Sequence, residues 1–183
     1  MKTLQVIVIA MLSIVMISCN SNQSLQEYYV DNQGNKDFVA VDVPTSLFAN
    51  TETLNEDQKK TLETVKKINV LAIPKKAENL KKIESEKSNV SNILKDEKYQ
   101  LLMKYGGSST KLEVYYTGNE EAVDEIIVYG YDDEKGMGVA RVLGDDMNPS
   151  DILNLVRSME KGDIDLSGLK EITQIFSNQP EVK

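Results

Sequence analysis

The chain has 183 residues, with 21 Lys and Arg against 29 Asp and Glu, no His, no Trp and a single Cys. Absence of His excludes Ser-His and Cys-His nucleophilic catalysis and His-ligated metals. One Cys excludes intrachain disulfides and cysteine-built zinc or iron–sulfur centres. A net charge of −8 argues against a nucleic-acid partner, which needs a basic stripe, and the length sets one domain or at most two small ones.

The N-terminus reads as an address. Lys2 supplies a positive start, and Leu4 to Ile17 is nearly all apolar. That run is shorter than the about 20 residues a spanning helix needs and fits a secretory core. It ends at Ser18-Cys19, followed at once by Asn20, Ser21, Asn22, Gln23 and Ser24. The pattern resembles a bacterial lipoprotein signal, although Met16 and Ile17 depart from its usual Leu and Ala or Ser. The resemblance implies cleavage between Ser18 and Cys19, a diacylglycerol thioether on the Cys19 sulfur and a fatty acid on the new amino group. Several acyl chains anchor stably where one binds only reversibly. The alternative is an ordinary signal peptide or a short uncleaved anchor. Asn20, not Asp, follows the cysteine, and the first acid is Glu27; the expected location is the Gram-negative cell envelope, at the outer membrane facing the periplasm.

Leu25 to Val30 forms a helical turn in this reading, closed by the polar run Asp31 to Asn35. Phe38 to Val43 is a first strand, stopped by Pro44. A helix begins at Asn55, with Gln58 in capping-box spacing and Leu62, Val65 and Ile68 on one face. Val70 to Ile73 is a short buried strand ended by Pro74. Residues 76–95 read as a long helix with Leu80, Ile83, Val90 and Leu94 as its stripe and a solvated middle at Lys87. The period then changes to two. Tyr99, Leu101, Met103 and Tyr105 alternate, Gly106 to Ser109 turns the chain, and Leu112, Val114 and Tyr116 alternate again. Gly118-Asn119 makes another turn. Strands at Ile126 to Tyr131 and Met137 to Leu143 complete an antiparallel meander. Asn148 caps a helix opened by Pro149, with Ile152, Leu155, Val156 and Met159 on its apolar face. A last helix spans about Leu166 to Phe176, with Leu169, Ile172, Ile175 and Phe176 apolar, and the end frays.

The order β-α-β-α-β-β-β-β-α-α predicts one α+β domain, a mostly antiparallel sheet with helices packed on it. The order of strands in the sheet is not readable. The expected divisions are a signal peptide at 1–18, a lipidated N-terminus and tether at 19–35, the domain at 36–177 and a flexible tail at 178–183. The segments SLQEYYV at 24–30, FVAVDVPTSL at 38–47, KINVLA at 67–72, Ile93 to Lys95 with Tyr99, Asp124 to Ile126, and GVARVLGDDMNP at 138–149 follow one another in an order that resembles a bacterial lipoprotein family classed as domain of unknown function 4252. The likeness spans nearly the whole mature chain. It implies an anchored single domain, and no activity, cofactor or catalytic residue comes with it.

Four clusters are candidate sites. Asp163, Asp165, Ser167, Gly168 and Glu171 match positions 1, 3, 5, 6 and 9 of a calcium loop, but Gln174 stands where a bidentate carboxylate belongs; helix capping is the preferred explanation, and no metal site is assigned. Asp145, Asp146 and Asp151 beside a helix start could hold a cation or act as acid and base, or simply complement the helix dipole. Asp132, Asp133 and Glu134 sit at a hairpin tip. Tyr115, Tyr129 and Tyr131, from a set that also includes Tyr99, Tyr105 and Tyr116, are the candidate interaction surface, against a role in sheet packing. Gly106 to Ser109 lacks the ending of a phosphate loop. No cofactor is implied. The expected function is a non-enzymatic envelope module, held to the membrane by its lipid and binding a protein, peptide or glycan. The alternatives are a carboxylate-dependent hydrolase or carbohydrate-active protein, and a calcium- or stress-responsive envelope factor.

Overall fold

Residues 23–45 and 54–160 are described by the computed structural model, with side chains described as far as Leu155. The elements in chain order are α1 (Leu25–Asn32), β1 (Val39–Pro44), α2 (Glu56–Thr64), β2 (Val65–Pro74), α3 (Leu80–Ile93), β3 (Gln100–Gly106), β4 (Thr110–Asn119), β5 (Ala122–Asp132), β6 (Gly136–Met147) and α4 (Pro149–Glu160). A 3-10 turn, Ala77–Asn79, leads into α3. The six strands form one antiparallel sheet ordered β1-β2-β6-β5-β4-β3. The meander occupies one side of the sheet, and the β1–β2 pair joins it through β6. The fold is α+β in a single domain, as its strand and helix pattern predicts.

Side-chain alternation divides the sheet into two faces. The first face carries Leu71, Ile73, Ile127, Tyr129, Met137 and Val139, and α1 and α3 cover it with Leu25, Tyr28, Ile83, Val90 and Ile93. The second carries Val114, Tyr116, Val123, Ile126 and Met147, with Ile152 of α4 packed on them. Leu155 of α4 meets Leu54 and Leu62. Asn148 caps α4, its Oδ1 accepting from the N–H groups of Ser150 at 2.9 Å and Asp151 at 3.3 Å.

The stretch at 25–32, grouped by sequence with the N-terminal tether, is an integral part of the core. Ser24 and Glu27 close a capping box around its start. Leu25 and Tyr28 are each 1% exposed. The Leu25 N–H donates to the Tyr99 hydroxyl at 3.0 Å, and the Tyr28 hydroxyl donates to Glu86 Oε2 at 2.9 Å.

Two expectations are corrected. The helix from Asn55 was expected to bury Leu62, Val65 and Ile68 on one face; it stops at Thr64, and Val65 and Ile68 belong to β2. Ile68 pairs with Val43 of β1 and Val142 of β6, Val65 pairs with Gly144 of β6, and this sheet pairing outweighs the helical period. Gly144 permits the close approach at this corner, since a Cβ there would collide with the Thr64 carbonyl. The middle of α3 was expected to be solvated, yet Glu86 is buried. Lys82, 2.8 Å away, and Tyr28 satisfy its carboxylate, while Lys87 pairs with Glu84 at 2.8 Å. Charge on a helix face marks solvent only where no partner is waiting beneath it.

The box between Asn55 and Gln58 starts α2, each side chain accepting from the other's backbone N–H at 2.9 Å. Replacing Asn55 with alanine is expected to cost about 1 kcal/mol, read as a lower urea midpoint, because a donor at the helix start loses its partner.

Candidate functional site

Among the described residues β3 ends the sheet with only β4 beside it, so its outer backbone N–H and C=O groups have no strand partner. All seven of its residues are exposed. Leu101 is 54% and Tyr105 71% accessible, with Leu102 and Met103 also open. The expected alternation of Tyr99, Leu101, Met103 and Tyr105 is interrupted. A bulge at Leu102 lies between the Leu101–Tyr115 and Met103–Val114 pairs. It sends Leu101 to the first face and Met103 and Tyr105 to the second. Only Tyr99, just before the strand, is buried.

Among the described residues nothing covers the second face beside this edge. Val70, Ala72, Leu112, Val128 and Ala140 are only half-buried and, with Tyr105, line a hollow of about 830 Å³. Ile152 covers the other end of the face.

The tyrosines of the sequence-predicted interaction surface divide. Tyr129 has no exposed surface; its ring is in the core, with the hydroxyl 3.3 Å from the Lys87 carbonyl and 3.5 Å from Ser91 Oγ. It is a packing residue and cannot itself touch a partner. Tyr131 is half-buried beneath the Lys87 ammonium, 4.0 Å from the ring centroid. Tyr115 is half-buried and donates to Glu113 Oε2 at 2.9 Å. Tyr116 is buried and donates to Gln100 Oε1 at 2.8 Å. Tyr105 is the member of the set that stands in solvent. Sequence reasoning gave these residues one role because it could not tell which strand was the edge.

Burial pushes the Glu113 carboxyl up, but Lys111 at 2.9 Å, the Tyr115 hydroxyl and Lys104 outweigh it and hold the group below its ordinary 4.5. A carboxyl lowered by folding contributes stability that is complete above the unfolded value and lost as pH falls through the folded one. The wild type is therefore expected to lose more stability than Glu113→Gln as the pH falls below about 4.5, measured as urea midpoints from pH 6 to 3.

A polar groove between α3 and the sheet is lined by Lys87, Ser88, Ser91, Lys95, Lys111 and Tyr131. Its two inner lysines already have carboxylates: Lys87 has Glu84 at 2.8 Å and Asp133 at 3.4 Å, and Lys111 has Glu113. Asp145, Asp146 and Asp151 are exposed. Asp145 pairs with Lys66 on the surface, while Asp146 and Asp151 border a small hollow with Asp57 and Lys60. Asp132 accepts from the N–H groups of Glu134 at 2.8 Å and Lys135 at 3.1 Å, which makes it a turn residue. Among the described residues no group of three or more Cys, Asp or Glu is placed to hold a metal ion, and no helix is long and apolar enough to cross a membrane. Ser18, Cys19, Asp163, Asp165, Ser167 and Glu171 lie outside the described residues.

Among the described residues the geometry defines an α+β domain whose sheet is helix-covered on one face, open over part of the other, and bounded by β1 and the exposed β3. The chain belongs to the family described as domain of unknown function (DUF4252), which matches residues 28–155. No curated protein and no solved structure matches it.

Proposed function

We propose that the chain is a lipid-anchored envelope protein, modified at Cys19, that binds a polypeptide partner in the periplasm through the open edge of its sheet. The single observation behind the binding role is the exposure of Leu101, Leu102, Met103 and Tyr105 along one edge strand. Natural edge strands are blunted by charge, proline or a cover. Here Lys104 is the only charged residue in β3. Strand addition would use the free backbone groups for affinity and the apolar side chains for selectivity. The anchor reading rests on the apolar run, Ser18-Cys19 and the polar residues that follow. The binding role needs no catalytic group, in keeping with a chain that lacks His.

Photo-crosslinking amino acids placed at Leu101 and Tyr105 in living cells test the binding role. A discrete adduct at both positions is expected, absent from a probe at exposed Glu120 and reduced at least tenfold by Met103→Lys. Equal adducts at all three positions would refute it. Mass spectrometry of the mature N-terminus tests the anchor: a triacylated Cys19 is expected, and an unmodified Cys19 thiol would refute it. Cys19→Ala is expected to leave the protein unlipidated.

A further inference from the structure

The uncovered part of the second face is apolar, which an open antiparallel face ordinarily is not. Such a sheet alternates apolar residues toward the core with polar residues toward water. Along β2 the buried Leu71 and Ile73 do alternate with half-buried residues, but these are Val70, Ala72 and Pro74. Val128 of β5, Ala140 of β6 and Leu112 of β4 continue the same surface. Charged lining residues such as Lys111, Asp132 and Lys135 stand at its margin, in or beside the β4–β5 and β5–β6 ends. The composition is that of a face awaiting a cover.

The chain contains a segment suited to it. α4 follows directly from β6 and packs Ile152 on this face. Residues 161–183 come next. Within them Leu166, Leu169, Ile172 and Phe176 recur at helical spacing, with Lys170, Glu171, Thr173 and Gln174 between them. Eleven residues as a helix measure about 16 Å. The bare surface runs along β6 from Gly136 to Ala140, about 14 Å at strand rise. Residues 161–165 can bridge up to about 17 Å when extended. We propose that the apolar side of residues 166–176 covers the hollow formed by Val70, Ala72, Leu112, Val128 and Ala140, completing the second helical layer of the domain.

The test is thiol accessibility in the full chain, with Val128→Cys as the reporter and labelling by a maleimide read at that residue by peptide mass. Slow labelling is expected in the full chain and at least tenfold faster labelling when the chain ends at Glu160. A synthetic peptide of residues 161–183 should restore protection to the shortened chain. Should the shortened chain fail to fold, Leu169→Asp with Ile172→Asp in the full chain is expected to give the same acceleration. Labelling that is equally fast in all forms would overturn the proposal. So would protection that disappears on dilution, which would assign the cover to a second copy of the chain.

Discussion

Arg141→Ala is expected to lower the stability of the domain by about 3–5 kcal/mol, the range for breaking a buried ion pair from one side. Arg141 is 4% exposed. Its Nε donates to Glu125, and its Nη1 donates to Gln26 at 2.6 Å. Removing the guanidinium leaves the Glu125 carboxylate, itself 13% accessible, without its cation, and detaches α1 from the sheet at Gln26. Urea unfolding followed by circular dichroism reads the loss directly. Lys66→Ala supplies the control. Its partner is Asp145, both side chains are more than half exposed, and exposed pairs contribute only about 0–1 kcal/mol. Equal losses for the two variants would contradict the burial on which the argument rests.

Tyr129→Ala is expected to cost a similar amount, about 3–5 kcal/mol, for a different reason. Its ring is wholly enclosed between α3 and the sheet, and truncating an enclosed aromatic loses both its transfer free energy and the packing around the space left behind. Tyr129→Phe keeps the ring and gives up two long hydroxyl contacts, so its cost should stay below about 1.5 kcal/mol. Tyr105→Ala is expected to change stability by less than about 0.5 kcal/mol, as an exposed substitution does, while weakening partner crosslinking. The three variants together separate packing tyrosines from the one offered to solvent. A crosslinking defect in Tyr129→Phe with Tyr105→Ala unaffected would reverse the assignment.

The legible parts of the fold were those set by local chemistry. The meander could be read from β3 to β6 because each connection carries its own turn residues, and the starts of α2 and α4 because Asn55 and Asn148 are caps. What stayed hidden depended on residues distant in sequence. Nothing local says that β2 lies between β1 and β6, so Val65 and Ile68 looked helical. Glu86 looked solvated because Tyr28, its partner, is 58 residues away. The candidate site suffered most. Tyr105 and Tyr129 are alike in sequence pattern and opposite in exposure, and the difference is whether another strand and a helix flank them. The apolar triplet in β3 pointed toward burial rather than an edge, and the regular spacing on either side of it masked the bulge.

Asp42, Asn69 and Arg141 occupy directly opposed positions on β1, β2 and β6. Asn69 donates to Asp42, as does the Tyr29 hydroxyl of α1, at 2.7 Å. Among the described residues no buried side-chain nitrogen or oxygen lacks a hydrogen-bond partner. The row works as a key cut for one alignment. Slide β2 by a single residue and Asn69 turns to the opposite side of the sheet, away from Asp42, which keeps only the Tyr29 hydroxyl of this pair of donors. The β1–β2 pair thereby acquires one favoured docking offset, the one in which its only inward-facing amide meets its only inward-facing carboxylate.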